Sequence, residues 1–127
     1  MARILIAEDE DAIRGLIARA LLQDGHDVMT ANDGAEALDV LAREQGTFEL
    51  LLTDIRMPVM DGIALALAAA RDHPDITILL MTGYADQRER ASGLNLLIHD
   101  VITKPFTLAT IRAAVDEALL AGAQSRR

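Results

Sequence analysis

The chain has 127 residues, a formal net charge of −8, 51% hydrophobic residues, 2% aromatic residues and no cysteine. This length fits one domain, and the balance of apolar and charged residues is typical of a globular protein. The lack of cysteine excludes disulfide frameworks, thiolate metal sites and cysteine nucleophiles. The negative charge and the scarcity of aromatic residues argue against nucleic acid as a partner.

Membrane insertion and secretion are not expected from the sequence. The apolar stretch that precedes the acidic residues at 8–11 is only four residues long, at residues 4–7. The longest uncharged apolar run, residues 63–70, is far shorter than the roughly 20 residues that cross a bilayer. These features predict a cytoplasmic protein without a membrane partner.

Short apolar runs alternate with amphipathic segments along the chain. The runs that are typical of buried strands lie at residues 3–7, 27–31, 50–53, 77–81 and 98–103. The segments predicted as helices lie at residues 11–24, 35–43, 62–71 and 85–92, with a last one after Thr107. We expect one domain over residues 1–121, followed by a short tail at residues 122–127.

This alternation predicts an α/β fold with a parallel sheet covered by helices on both faces. Right-handed crossovers leave few topologies for five such units, and the common one has the strand order 2-1-3-4-5. We therefore expect a flavodoxin-like, doubly wound, five-stranded parallel sheet with five helices. In this order the winding reverses between the first and third strands, where such sheets bind ligands.

Chemically useful side chains follow four of the predicted strands. Glu8 and Asp9 come after the first strand, Asp54 after the third, Thr82 after the fourth and Lys104 after the fifth. An acidic pair after a strand is by itself most often part of an ordinary loop. The topology, however, brings the ends of all these strands to one rim, which favours a common site.

The residue types at this rim suit the transfer of a phosphoryl group. Carboxylates that lie close together repel one another, and a set of oxygen ligands binds Mg²⁺ well. One carboxylate can attack phosphorus to form an acyl phosphate. The phosphoryl oxygens then need positive charge and donors, which Mg²⁺, Lys104 and Thr82 can supply. Asp54 is the predicted nucleophile because it lies at the centre of the rim.

The loop after the third strand carries a family resemblance. Residues 54–62, DIRMPVMDG, resemble the phosphoacceptor loop of response-regulator receiver domains in two-component signalling. Residues 8–9, 81–83 and 104–106 match the other motifs of that family in order and spacing. Each motif is weak alone, but the four together cover essentially the whole chain.

The resemblance implies a metal site and a phosphodonor. Asp54 would accept a phosphoryl group from a phosphohistidine on a sensor histidine kinase or a histidine phosphotransfer protein. Asp9, Asp54 and the backbone carbonyl of Arg56 would bind Mg²⁺ directly, and Glu8 would bind it through a water molecule.

The resemblance also assigns the remaining rim residues. Thr82 and Lys104 would contact the phosphoryl oxygens, and the Lys104–Pro105 peptide bond is expected to be cis. Many receivers carry a tyrosine or phenylalanine three residues before this lysine, where Val101 stands here. The resemblance therefore does not extend to a switch that depends on the rotamer of an aromatic residue at this position.

The sequence favours a signalling switch over an enzyme, with activity limited to self-catalysed phosphotransfer and slow autodephosphorylation. Residues 1–10 and 98–106 resemble the corresponding segments of CpdR-type stand-alone receivers of alphaproteobacteria. This resemblance implies an adaptor whose output partner is a AAA+ protease. One alternative is an Asp-nucleophile phosphatase of the haloacid dehalogenase kind, although that family needs an acid where Arg56 stands. A second alternative is an adaptor that works without phosphate.

Overall fold

Five parallel strands form the centre of the molecule in a computed structural model that describes residues 1–83, 89–91 and 93–125. The strands are β1 Arg3–Ala7, β2 Asp27–Ala31, β3 Leu50–Asp54, β4 Thr77–Thr82 and β5 Asp100–Thr103. They pair in the order β2-β1-β3-β4-β5, and every pair is parallel. The predicted fold class and strand order are confirmed, and the winding reverses between β1 and β3.

Helices connect the strands and cover both faces of the sheet. They are α1 Asp11–Gln23, α2 Gly34–Arg43, α3 Gly62–Asp72 and α4 Leu108–Ser125. The helix predicted at residues 85–92 lies mostly outside the described residues, but residues 89–91 are helical. Within the described part of the chain, no helix is both long and apolar enough to cross a membrane.

The last helix extends further than the sequence suggested. Residues 122–125, predicted as part of a tail, continue α4. Gly122 is buried and lies one helical turn after the fully buried Ala118, so it stays on the packed face of the helix. The domain boundary after residue 121 stays a prediction.

The central strand β3 is buried at every residue, because helices cover both of its faces. Leu51 packs into the apolar cluster that includes α2 and α3, whereas Leu50 and Leu52 pack into the cluster that includes α1 and α4. This alternation follows from the two-residue period of a strand. Asp54 therefore stands at the end of an element that is packed on both sides.

Capping side chains define where three of the helices begin. Asp33 accepts a hydrogen bond from the Glu36 N–H at 2.8 Å, and Asp61 accepts one from the Ala64 N–H at 2.9 Å. Thr107 caps α4, as predicted, and accepts from the backbone three residues later at 3.1 Å. Such caps typically contribute about 1 kcal/mol each. The Asp61 cap fixes where the loop after β3 ends.

Candidate functional site

The acidic pair after β1 has one buried and one exposed member. The backbone N–H of Glu8 donates to the Ala31 carbonyl at 3.1 Å, which extends the pairing of β1 with β2 by one residue. The Glu8 side chain is fully buried, and its Oε2 accepts from the Glu10 N–H at 3.2 Å. Asp9 is exposed. The pair therefore offers one carboxylate inside the protein and one at its surface.

Asp54 ends β3 opposite Met81 of β4 and is only 6% exposed. The loop that follows folds back on the strand end, because the Gly62 N–H donates to the Ile55 carbonyl at 2.7 Å. A Cβ atom at Gly62 would lie 2.0 Å from the Asp54 backbone oxygen, so only glycine fits there. The sequence motif contained this glycine, but its role in positioning Asp54 was not predicted.

Lys104 follows β5 and carries its ammonium to the two buried carboxylates. Its Nζ donates to Asp54 Oδ2 at 2.8 Å and to Glu8 Oε1 at 3.1 Å, while the Lys104 side chain keeps 21% exposure. The Lys104 N–H also donates to the Thr82 carbonyl at 2.7 Å, which ties the ends of β4 and β5 together. The Lys104–Pro105 bond is cis, as predicted.

The other two predicted site residues also lie at this rim. Thr82 ends β4 opposite Thr103 and is buried. Arg56 is exposed and lines the same cavity as Asp54 and Lys104. The topology thus brings all of the predicted site residues to one end of the sheet, while their individual chemical roles stay predictions.

Three carboxylates at the rim form a compact group of oxygen ligands. One oxygen each from Glu8, Asp9 and Asp54 lies within 4.8 Å of the others. Hard divalent cations prefer such oxygen ligands, and Mg²⁺ commonly keeps several of its waters. The exposure of Asp9 leaves space for those waters. By donor type and spacing, these residues fit Mg²⁺.

Electrostatics at the site also favour a cation. The pKa of Glu8 is raised to about 7, first by burial and then by repulsion from Asp54, although the Glu10 N–H and Lys104 oppose this rise. Burial lowers the pKa of Lys104, but the hydrogen bond and charge of Asp54, with those of Glu8, outweigh burial and leave this pKa raised. Lys104 is therefore charged at neutral pH. Its single positive charge is shared by three carboxylates, and a further cation would reduce the repulsion that remains among them.

A cavity of about 750 Å³ opens beside the carboxylates. Its polar side includes Asp54 and Lys104, and its other side is apolar and includes Leu16 of α1 and Phe106 after β5. This apolar side was not predicted from the sequence. The two residues are far apart in the chain, and each fits the pattern of an ordinary core residue.

Comparison with known proteins gives the family. Residues 4–116 match the model of the response regulator receiver domain. The chain is 38% identical over 121 residues to the response regulator receiver protein CpdR of Brucella abortus (strain 2308). The aligned region covers 95% of this chain and 99% of CpdR.

Solved structures agree with this result. A CheY-like receiver domain protein from Methanospirillum hungatei JF-1 is 29% identical with a TM-score of 0.90, over 98% of both chains. The response regulator TrrA of Thermotoga maritima, solved in complex with Mg²⁺-BeF, is 30% identical with a TM-score of 0.80, over 93% of this chain and 99% of that one. This chain belongs to the response regulator receiver domain family of two-component signalling.

Proposed function

We propose that this chain is a phosphorylation-dependent signalling switch whose phosphoacceptor is Asp54. The observation that carries the proposal is the contact of Lys104 Nζ with Asp54 Oδ2 at 2.8 Å, inside a cluster that includes Glu8 and Asp9. A nucleophile, a fixed cation and a set of metal ligands meet at this point. The end of β3 holds the nucleophile in place.

The phosphodonor in this proposal is a phosphohistidine on a sensor histidine kinase or a histidine phosphotransfer protein. One Asp54 oxygen forms a bond to phosphorus, the phosphorus–nitrogen bond breaks, and the imidazole keeps the electron pair. Mg²⁺ held by Asp9, Asp54 and the Arg56 carbonyl, with Glu8 acting through a water, would supply positive charge to the phosphoryl oxygens. The match to TrrA in complex with Mg²⁺-BeF supports this assignment.

Lys104 and Thr82 stabilise the product in the proposed mechanism. Lys104 donates to the Asp54 carboxylate before transfer and to a phosphoryl oxygen afterwards. The Thr82 hydroxyl, at the end of the neighbouring strand, supplies a second donor. New contacts of this kind can shift a two-state equilibrium, and a nearly complete shift needs roughly 5.5 kcal/mol of differential interaction.

The proposed output is contact with another protein rather than catalysis on a substrate. The similarity to CpdR over nearly the whole of that protein supports an adaptor of the same type, with a AAA+ protease as the partner. Enzymatic activity would be limited to self-catalysed phosphotransfer and slow autodephosphorylation. A cytoplasmic location is part of this proposal, because histidine kinases form their phosphohistidine from ATP, which is found in the cytoplasm.

Intact-mass spectrometry tests the proposal. The protein is incubated with Mg²⁺ and acetyl phosphate, and the experiment is repeated with EDTA and with Asp54→Asn. We expect one added phosphoryl group on the wild type in Mg²⁺ and none in the other two samples. The Asn variant is a close match in shape, so the comparison isolates the charged nucleophile.

The other outcomes point to the alternatives. Steady phosphate release from unrelated phosphomonoesters, without an adduct, would favour an Asp-nucleophile phosphatase. A protein that gains no phosphoryl group and releases no phosphate would favour an adaptor that works without phosphate. Equal labelling of the wild type and Asp54→Asn would contradict the assignment of the phosphoacceptor.

A further inference from the structure

The cavity beside the carboxylates has an apolar side in addition to the charged groups that take part in the proposed phosphotransfer. Leu16 of α1 lines it while 53% exposed, and Ile13, Phe106 and Leu108 line it while half-buried. These four side chains come from α1 and from the segment between β5 and the first turn of α4. They present apolar surface to the cavity rather than to the core alone.

The same cavity contains the reactive carboxylate. Asp9, Asp54, Arg56 and Lys104 form its polar side. The cavity volume of about 750 Å³ is within the range of roughly 300–1,000 Å³ that is usual for small-molecule sites. A small phosphodonor whose phosphoryl group reaches Asp54 therefore has the rest of its structure close to the apolar side.

We propose that the apolar side is a subsite for the leaving group of small phosphodonors, and that it favours aromatic acyl phosphates over aliphatic ones. The proposal rests on the proposed function of Asp54. With benzoyl phosphate, an Asp54 oxygen bonds to phosphorus and the bond from phosphorus to the benzoyl oxygen breaks. Benzoate leaves with that electron pair, so no proton, oxidant or reductant is required.

The phenyl ring is the part of the donor that this subsite recognises. An aromatic ring removes apolar surface from water when it packs on leucine and phenylalanine side chains. The methyl group of acetyl phosphate is too small to make comparable contact. The two donors therefore differ in the group that meets the apolar side and share the group that reacts.

The test compares rates of adduct formation from benzoyl phosphate and acetyl phosphate in Mg²⁺. Benzoyl phosphate has the better leaving group, so the quantity of interest is the benzoyl-to-acetyl rate ratio in each variant. We expect Leu16→Ser to lower this ratio by about fivefold. Leu22→Ser is the matched control, because Leu22 is 54% exposed on the same helix and lies outside the residues that line the cavity. We expect the wild-type ratio for this control.

A binding measurement supplies a readout that is independent of phosphotransfer. Phenylphosphonate and methylphosphonate share a phosphorus–carbon bond that Asp54 cannot cleave. We expect phenylphosphonate to shift the NMR methyl signals of Ile13, Leu16 and Ile17, which line the cavity, and methylphosphonate to leave them unshifted.

The two proposals fail in different ways. Adduct formation from both donors, with equal ratios in the wild type and Leu16→Ser, would overturn the subsite and leave the phosphoacceptor intact. Equal methyl shifts from the two phosphonates would overturn it as well. Failure of both donors to label the wild type would contradict the proposed function on which the subsite rests.

Discussion

Replacing Lys104 by methionine removes the cation that joins two buried carboxylates. The ammonium lies 2.8 Å from Asp54 Oδ2 and 3.1 Å from Glu8 Oε1, and the carboxylate side chains are only 8% and 0% exposed. Methionine keeps an unbranched apolar chain in place of the lysine stem. We therefore expect the loss of stability to come mainly from the missing charge.

The magnitude follows from the exposure of the pair and from the pKa of Glu8. Breaking a fully buried ion pair costs about 3–5 kcal/mol, and a hydrogen bond to a charged group contributes about 1.5–3 kcal/mol. Lys104 keeps 21% exposure, so we expect a loss of about 2 kcal/mol at pH 7 without Mg²⁺. Glu8, whose pKa is already about 7, takes up a proton in the variant. Keeping that proton on Glu8 in the folded variant lowers its free energy of unfolding by about 1.4 kcal/mol for each pH unit above 7. The loss of stability relative to the wild type therefore grows to about 3 kcal/mol at pH 8.

Urea unfolding followed by far-UV circular dichroism measures this loss, since the chain has no tryptophan for fluorescence. The experiment is run in EDTA and in Mg²⁺, and we expect Mg²⁺ to stabilise Lys104→Met more than the wild type. The same substitution in an Asp54→Asn background should cost about 1 kcal/mol less, because one ionic partner is already gone. A loss below about 0.5 kcal/mol in EDTA, or an equal loss in both backgrounds, would refute this electrostatic account.

Three further predictions concern stability measured in the same way. Gly62→Ala should lower the free energy of unfolding by more than about 2 kcal/mol, because the new Cβ would lie 2.0 Å from the backbone oxygen of Asp54. Gly15→Ala should raise the free energy of unfolding by about 1 kcal/mol, because nothing lies within 4 Å of a Cβ at this helical position. Equal changes of stability in the two variants would contradict the close approach of Gly62 to the backbone of Asp54. In EDTA the stability of the wild type relative to Glu8→Gln should fall as the pH rises from about 5 to 7, because folded Glu8 holds a proton that the unfolded chain releases; a flat difference would contradict the raised pKa. Val59→Asn should stabilise by about 1 kcal/mol, since an exposed valine at a φ of 70° is strained and asparagine tolerates this conformation; a loss of stability would show that the valine is not strained.

The sheet order was predictable from the sequence because each strand is short, apolar and separated from the next by a helix-length segment. The element ends were less predictable where local hydrogen bonds decide them. β5 begins at Asp100 rather than at residue 98, because the Ile98 N–H donates to the Leu94 carbonyl at 3.1 Å in the preceding turn. A strand pattern in the sequence does not exclude such a turn.

The membership of the site was predictable for the same topological reason. Parallel strands in this order bring Asp54 and Lys104 to one rim although fifty residues separate them. The strand pattern does not specify which oxygens the ammonium contacts or how closely Gly62 approaches the strand end. Those details depend on backbone positions that are set by packing in three dimensions.

The loop between Asp54 and α3 shows a conflict between local preference and structure. The Met60 N–H donates to the Pro58 carbonyl at 2.8 Å across Val59, whose φ is 70°. A β-branched residue disfavours this turn, so propensity alone does not predict it. The Met60 carbonyl in turn accepts from the Gly34 N–H at 3.1 Å, which anchors the loop to α2.

Locating the phosphoryl group on the chain tests the central claim most directly. The protein is incubated with acetyl phosphate and Mg²⁺, reduced with borohydride and digested, and the peptides are sequenced by mass spectrometry. Borohydride converts an aspartyl phosphate to homoserine, and we predict homoserine at position 54 alone. Homoserine at Asp9 or at another acidic position, with position 54 unchanged, would contradict the assignment of Asp54 as the phosphoacceptor.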